Sequence, residues 1–142
     1  MLSHSSRRSL AIALTVVAAG WMGLIFYLSS LSGDDTSRIF DADAIYWLGG
    51  GLSYTVHVLL YSVLAALIQC ALWGWNRGPS ARWVISVVTF SLLYAITDEY
   101  HQSFVGGRAA TVTDVFVDTL AAAAAAGALW VVITPEPRSK PV

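Results

Sequence analysis

The sequence predicts an all-α membrane protein, built as a bundle of four transmembrane helices. Of the 142 residues, 56% are hydrophobic and only 12% are charged, whereas soluble domains carry about 25% charged residues. The mean hydropathy is +0.64, and the hydrophobic residues are concentrated in four long runs separated by polar segments. We expect residues 1–142 to form a single membrane domain.

The first two runs are long enough to cross a bilayer. Residues 10–30 contain no charged side chain, and at about 1.5 Å per residue they span a hydrocarbon core of about 30 Å. Two arginines precede this run, as in a cleaved signal peptide, but its apolar core is longer than is usual for such peptides, so we expect an uncleaved helix. The second helix is predicted over residues 54–75, which are apolar apart from His57 and Gln69.

Two further helices are predicted in the second half of the chain. The third apolar run is short for a crossing, so its helix is predicted over residues 82–102, which draws acidic side chains toward the bilayer. The fourth is predicted over residues 112–133. Its alanine and glycine run, residues 121–127, allows a neighbouring helix to approach closely and could support a homo-oligomer. Residues 134–142 are predicted to be a tail.

The distribution of basic residues predicts the orientation in the membrane. Cytoplasmic segments carry an excess of lysine and arginine. Six of the eight such residues flank the start of the first helix, the turn between the second and third helices, and the end of the fourth. Only Arg38 and Arg108 lie on the other side. Both termini, and with them the tail, are therefore predicted to be cytoplasmic, and the acidic segment 31–53 is predicted to face outward.

Charge and motifs argue against several classes of function. The 8 basic and 9 acidic residues give a net charge of −1, which provides no basic surface for nucleic acid. Cys70 is the single cysteine and cannot form an intramolecular disulfide. The chain has no phosphate-binding loop or nucleophile elbow, and no strong metal-binding spacing. We therefore predict neither a cofactor nor a metal, although one metal site is geometrically possible, with His57, Glu99, His101 and Asp114 as ligands.

Polar side chains collect at the outward ends of three predicted helices. His57 lies near the start of the second helix, residues 98–102 close the third, and an aspartate pair one helical turn apart begins the fourth. Helical steps of three and four place several of these side chains on shared faces. The sequence therefore predicts a polar site at the extracytoplasmic face. The predicted site residues are His57, Tyr61, Asp98, Glu99, Gln102, Arg108, Asp114 and Asp118.

Asp118 lies deeper than Asp114 by about one turn and needs either a partner or a proton. Arg108 is the expected partner, because a guanidinium stays charged and can bind a carboxylate through two hydrogen bonds. Simpler roles stay open for each group. Asp114 can cap its helix, Arg108 can anchor the turn to a lipid phosphate or pair with an acidic residue of the third helix, and His57 can bond a backbone carbonyl at the interface.

Four strings of the chain resemble the VanZ-like family in order and spacing, and the resemblance covers nearly the whole chain. Its most specific part is an acidic pair followed by glutamine, a Phe-Val-x-Gly-Arg turn and an aspartate six residues later. The strings are IFYLSS (residues 25–30), HVLLY (57–61), DEYHQSFVGGR (98–108) and DVFVD (114–118).

The resemblance implies a small multi-pass protein of the bacterial plasma membrane. It connects the chain with antibiotic resistance, because the founding member of the family raises resistance to the glycopeptide teicoplanin. The chain departs from the common pattern of the family at several positions. Tyr54 replaces a lysine, Gly106 replaces a proline of the turn, and Asp118 and Ala121 replace an asparagine and a glycine of the fourth helix.

Two functions are compatible with this pattern. In the first, the site binds or modifies a membrane lipid or a cell-envelope precursor, with a possible effect on glycopeptide susceptibility. Arg108 would hold an anionic headgroup, His57 or Glu99 would transfer a proton, and Asp98 would orient or polarise the ligand. In the second, the protein is non-catalytic, and the polar groups bind such a molecule or only pair the helices. The sequence singles out no nucleophile, so whether the chain is an enzyme stays open.

Overall fold

The computed structural model describes residues 4–32, 35, 51–76 and 80–134. Residues 4–32, 51–76 and 80–134 form four α-helices and no strand. Each helix is long and apolar enough to cross a membrane, which confirms the predicted all-α bundle of four transmembrane helices. The helices are α1 (His4–Ser29), α2 (Gly51–Asn76), α3 (Ala81–Gln102) and α4 (Val112–Ile133).

The helices begin and end close to the predicted limits. The bounds of α4 are the predicted ones, and α3 begins one residue earlier than expected. The largest difference is in α1, which begins at His4 because the serine and arginine residues before the apolar run continue its helix. Residues 135–142 of the predicted tail, and most of the acidic segment after α1, lie outside the described residues.

The helices pack in the spatial order α1, α2, α4, α3, since the most extensive contacts join α2 to α4, α1 to α2, and α3 to α4. Three contacts show which helix ends lie together: His57 contacts Asp118, Ser30 contacts His101, and Thr111 contacts Glu99. The ends of α1 and α3 therefore lie beside the starts of α2 and α4. We call this the polar end of the bundle.

Small side chains allow α4 to pack closely within the bundle. Three alanines of α4 are buried, and they contribute to two apolar clusters that also contain residues of α2. The buried members of residues 121–127 pack inside one chain. A homo-oligomer through this run therefore stays a prediction. The buried alanines are Ala121, Ala122 and Ala126.

Side chains also bond to backbone carbonyls of neighbouring helices within the apolar region. In surroundings that lack water, such bonds satisfy polar groups that would otherwise be costly to bury. They join α1 to α2, α1 to α3, and α2 to α4. The bonds run from Trp21 Nε1 to the Leu60 carbonyl at 2.9 Å, from Tyr94 Oη to the Met22 carbonyl at 2.6 Å, and from Gln69 Nε2 to the Ala126 carbonyl at 3.2 Å.

Candidate functional site

The centre of the site is a contact between α2 and α4. His57 Nδ1 lies 3.1 Å from Oδ1 and 3.2 Å from Oδ2 of Asp118. The side chain of Asp118 is 1% exposed and that of His57 is 13% exposed. When the histidine is neutral, its Nδ1–H donates to the carboxylate, and the lone pair then lies on Nε2. Asp118 thus orients the ring and selects this tautomer.

The predicted pairing of Asp118 with Arg108 is wrong, because His57 takes that place. Arg108 Nη2 instead donates to the carbonyl of Leu28 at 3.4 Å. This carbonyl lies near the C-terminus of α1, where a positive charge complements the helix dipole. The Arg108 Nε is buried and has no hydrogen-bond partner among the described residues. Nor does Arg108 form an ion pair with an acidic residue of α3 in the described part of the chain.

Glu99 connects the end of α3 to the start of α4. Its Oε2 accepts a hydrogen bond from the backbone N–H of Thr111 at 2.7 Å. Thr111 is the N-cap of α4, and its hydroxyl accepts from the N–H of Asp114 at 3.1 Å. Thr111, and not Asp114, therefore supplies the side-chain cap. The sequence reasoning missed Thr111, whose position just before an apolar helix is the usual signal of a capping residue.

One glycine shapes the turn between α3 and α4. Gly107 has a φ of 74°, in the left-handed region that favours a residue without Cβ. The N–H of Arg108 then donates to the carbonyl of Val105 at 3.2 Å. This conformation explains the glycine of the Phe-Val-x-Gly-Arg string, because the turn must bring Thr111 back to Glu99.

Three side chains from three helices converge next to Thr111. His57, Glu99 and Asp114 each offer a donor atom, and these atoms all lie within 4.8 Å of one another. Glu99 is buried, whereas His57 and Asp114 are half-buried. His101, which the sequence placed with them as an alternative metal ligand, has another partner, because its Nε2 lies 3.0 Å from the Ser30 hydroxyl.

A second buried group lies beside these residues. Asp98 is 4% exposed, and its Oδ2 accepts from Gln102 Nε2 at 3.3 Å. The other oxygen, Oδ1, is buried and has no hydrogen-bond partner among the described residues. Tyr61 is also buried, with no partner for its hydroxyl in the described ranges.

The polar end is acidic. Among the described residues, the only ion pair to its carboxylates comes from His57. A buried polar atom without a partner costs about 1–3 kcal/mol, and two carboxylate oxygens and one hydroxyl oxygen here have none among the described residues. The site therefore favours an occupant that brings positive charge or hydrogen-bond donors. Its carboxylates are Asp98, Glu99, Asp114 and Asp118.

All the predicted site residues lie at the polar end, and the side-chain bond of Arg108 goes to a carbonyl of α1 instead of a carboxylate. No curated protein and no solved structure matches the chain. The family model described as VanZ/LLP1 matches residues 14–133, which contain every residue of the site. This match confirms the resemblance found in the sequence, and the chain belongs to the VanZ/LLP1 family.

Proposed function

We propose that the polar end binds the headgroup of a cell-envelope lipid, or of a lipid-linked envelope precursor, at the outer face of the bacterial plasma membrane. The supporting observation is that, among the described residues, four of the seven buried side-chain polar atoms without hydrogen-bond partners lie at this end of the transmembrane bundle. They include Glu99 Oε1, Asp98 Oδ1 and the Tyr61 hydroxyl. A headgroup that carries hydroxyl or amine groups would donate to these oxygens and remove the cost of leaving them unpaired.

Arg108 supplies the contact to an anionic part of the same headgroup. Its one observed side-chain bond, to the Leu28 carbonyl, is long at 3.4 Å, so further donors of the guanidinium can turn toward a phosphate. The carboxylates lie on α3 and α4 and accept from neutral or cationic groups. A headgroup with a phosphate next to hydroxyl or amine groups fits this division of charge.

Chemical modification of the bound lipid is the second candidate function. The His57–Asp118 contact favours it, because a histidine held by a carboxylate at Nδ1 can accept a proton at Nε2. The proton would come from a hydroxyl group of the ligand or from water. In the non-catalytic alternative, the same contact only pairs α2 with α4.

The test expresses wild type and variants in a glycopeptide-sensitive Gram-positive host. It identifies the lipids that co-purify with each protein and measures the susceptibility of the same cells to teicoplanin and vancomycin. Wild type is expected to retain a defined envelope lipid and to protect the host. At matched membrane abundance, Arg108→Ala should retain at least about tenfold less lipid, since a hydrogen bond to a charged group contributes about 1.5–3 kcal/mol. Arg82→Ala is the control, because Arg82 is an exposed arginine at the opposite end.

The variants Glu99→Gln and His57→Ala separate the alternatives. A binding protein loses protection in proportion to lipid affinity, whereas an enzyme variant retains its lipid but no longer changes it. If wild type at verified abundance retains no envelope lipid above the level of Arg108→Ala, the proposal is wrong and helix pairing accounts for the polar end. Retention without protection would restrict the function to lipid binding.

A further inference from the structure

We infer that His57, Glu99 and Asp114 form a binding site for a divalent transition metal ion, such as Zn²⁺ or Mn²⁺. Their donor atoms come from three helices and lie within 4.8 Å of one another. An ion with bonds of about 2.1 Å holds its ligands no more than about 4.2 Å apart. Atoms as far apart as 4.8 Å must therefore move closer by at least about 0.6 Å to share one ion.

The state of the Glu99 carboxylate is the second observation that points to a ligand. Glu99 is 6% exposed, and its Oε2 is held by the backbone N–H of Thr111 at 2.7 Å. Its Oε1 is buried and has no hydrogen-bond partner among the described residues. A carboxylate fixed through one oxygen, with the other left unpaired beside a histidine and an aspartate, presents a ready metal ligand.

The contact between His57 and Asp118 fits the same interpretation. Histidine ligands of metals usually donate their other ring N–H to a carboxylate, which orients the ring and raises its basicity. Asp118 occupies this position on Nδ1 at 3.1 Å, so Nε2 is the nitrogen left for the ion. Asp118 is therefore a positioning residue, and the ion itself would contact His57, Glu99 and Asp114.

The charge and the chemistry of the donors indicate the class of ion. A divalent ion offsets the repulsion between carboxylates that have only His57 as an ion-pair partner among the described residues. The histidine nitrogen favours Zn²⁺, and the two carboxylates also suit Mn²⁺, which like other transition metal ions accepts a nitrogen ligand more readily than Mg²⁺ or Ca²⁺. Three protein ligands leave coordination positions free, and the half-buried Asp114 lies on the accessible side.

The inferred metal site does not depend on the proposed lipid binding, so the two can be tested separately. Tag-free protein is stripped with a chelator, placed in nanodiscs of phosphatidylcholine alone, and titrated with Zn²⁺, Mn²⁺, Mg²⁺ and Ca²⁺. Wild type is expected to bind one equivalent of Zn²⁺ or Mn²⁺ per chain, counted by elemental mass spectrometry. Mg²⁺ and Ca²⁺ should bind at least about tenfold more weakly, because neither ion favours a nitrogen ligand.

Variants locate the ion. Loss of a residue that hydrogen-bonds a metal ligand usually lowers metal affinity by about 10- to 100-fold, so we expect a loss in that range for Asp118→Asn. Asp114→Asn and Glu99→Gln change the ligands themselves and should lower the affinity at least as much. His101→Ala, a histidine at the same end with the Ser30 hydroxyl as its partner, should bind like wild type. If Glu99→Gln does not insert stably, Asp114→Asn decides, because its side chain is half-buried and makes no cap contact.

Three results would overturn the inference. These are no stoichiometric binding by wild type, undiminished binding by Asp114→Asn, and Mg²⁺ or Ca²⁺ binding as tight as that of Zn²⁺ and Mn²⁺. The nanodiscs contain no envelope lipid, so failure here leaves the proposed function intact. Conversely, a protein that binds the ion but retains no lipid contradicts the proposed function alone.

Discussion

The two ring nitrogens of His57 have different roles at the polar end. Its Nδ1 contacts the buried Asp118, and its other nitrogen is left for a proton, a ligand or an ion. The Asp118 carboxylate depends on this contact, because the described residues provide no other ion pair for it. The same histidine thus supports the packing of α2 against α4 and gives the site a nitrogen that can bind a proton, a ligand or an ion.

The His57–Asp118 pair should show strong energetic coupling. Removing only the histidine leaves a buried carboxylate without its partner, which costs more than the net contribution of the pair. The measurement is a double-mutant cycle of His57→Ala and Asp118→Ala, built from free energies of unfolding in detergent micelles. We expect a coupling energy of about 0.5–3 kcal/mol from this cycle. The same cycle with His101→Ala and Asp118→Ala is the control and should be additive. Additive effects in the His57 cycle would contradict the prediction.

The sequence identified the members of the site better than their partners. Ionisable residues are conspicuous in an apolar chain, and the limits of the hydrophobic runs place them near helix ends, so His57 and Asp118 could be found from the sequence. Their pairing could not, because it depends on the rotation of α2 and α4 about their own axes. Thr111 was missed because its contribution to Glu99 is a backbone N–H, which side-chain chemistry does not reveal.

At the scale of the helices, α1 and α2 are in close contact at Gly74. A Cβ added at this glycine would lie 2.8 Å from the Cβ and 3.2 Å from the Cα of Ala11. Ala11 is fully buried, and its Cβ has no torsion that could move it aside. The distance between the two helices is therefore set by this pair of small residues.

Gly74→Ala should destabilise the bundle. The added methyl group forces α1 away from α2, and overpacking of this kind costs about 1–3 kcal/mol, more than the roughly 0.5–1 kcal/mol that alanine gains over glycine inside a helix. Thermal unfolding in detergent measures the effect. Gly20→Ala and Gly23→Ala are the controls, since an added Cβ at either position meets nothing within 4 Å.

A second substitution makes this prediction specific to the contact. Ala11→Gly removes the atom that the new methyl group meets, so the double variant with Gly74→Ala should regain most of the lost stability. A destabilised Gly74→Ala that Ala11→Gly does not rescue would show that the cost arises elsewhere.

Hydropathy predicts the helices because each must present about 20 apolar residues to the bilayer. It cannot predict their packing order. In an apolar chain every face of a helix is similarly hydrophobic, and close contacts such as Gly74 on Ala11 decide which helices meet. Such contacts between small residues contribute to the order α1, α2, α4, α3, and the hydropathy profile does not distinguish them.

At the scale of the whole molecule, the two ends of the bundle differ in charge. The polar end contains the buried carboxylates. The opposite end carries Arg7, Arg8 and Arg82, all of them exposed. Because basic residues are retained in the cytoplasm, this asymmetry predicts that the polar end faces outward, the side on which the proposed lipid headgroup would bind.

Single cysteines at the two ends test this orientation. Ala81, at the start of α3, and Ala109, in the turn before α4, are both exposed, and Cys70 is the only natural cysteine to replace. In a Cys70→Ala background, a membrane-impermeant maleimide should label Ala109→Cys in intact cells. It should label Ala81→Cys only after the cells are permeabilised. The reverse pattern would place the acidic site in the cytoplasm, so its ligand would have to come from the inner leaflet and the proposed outer-face lipid would be excluded.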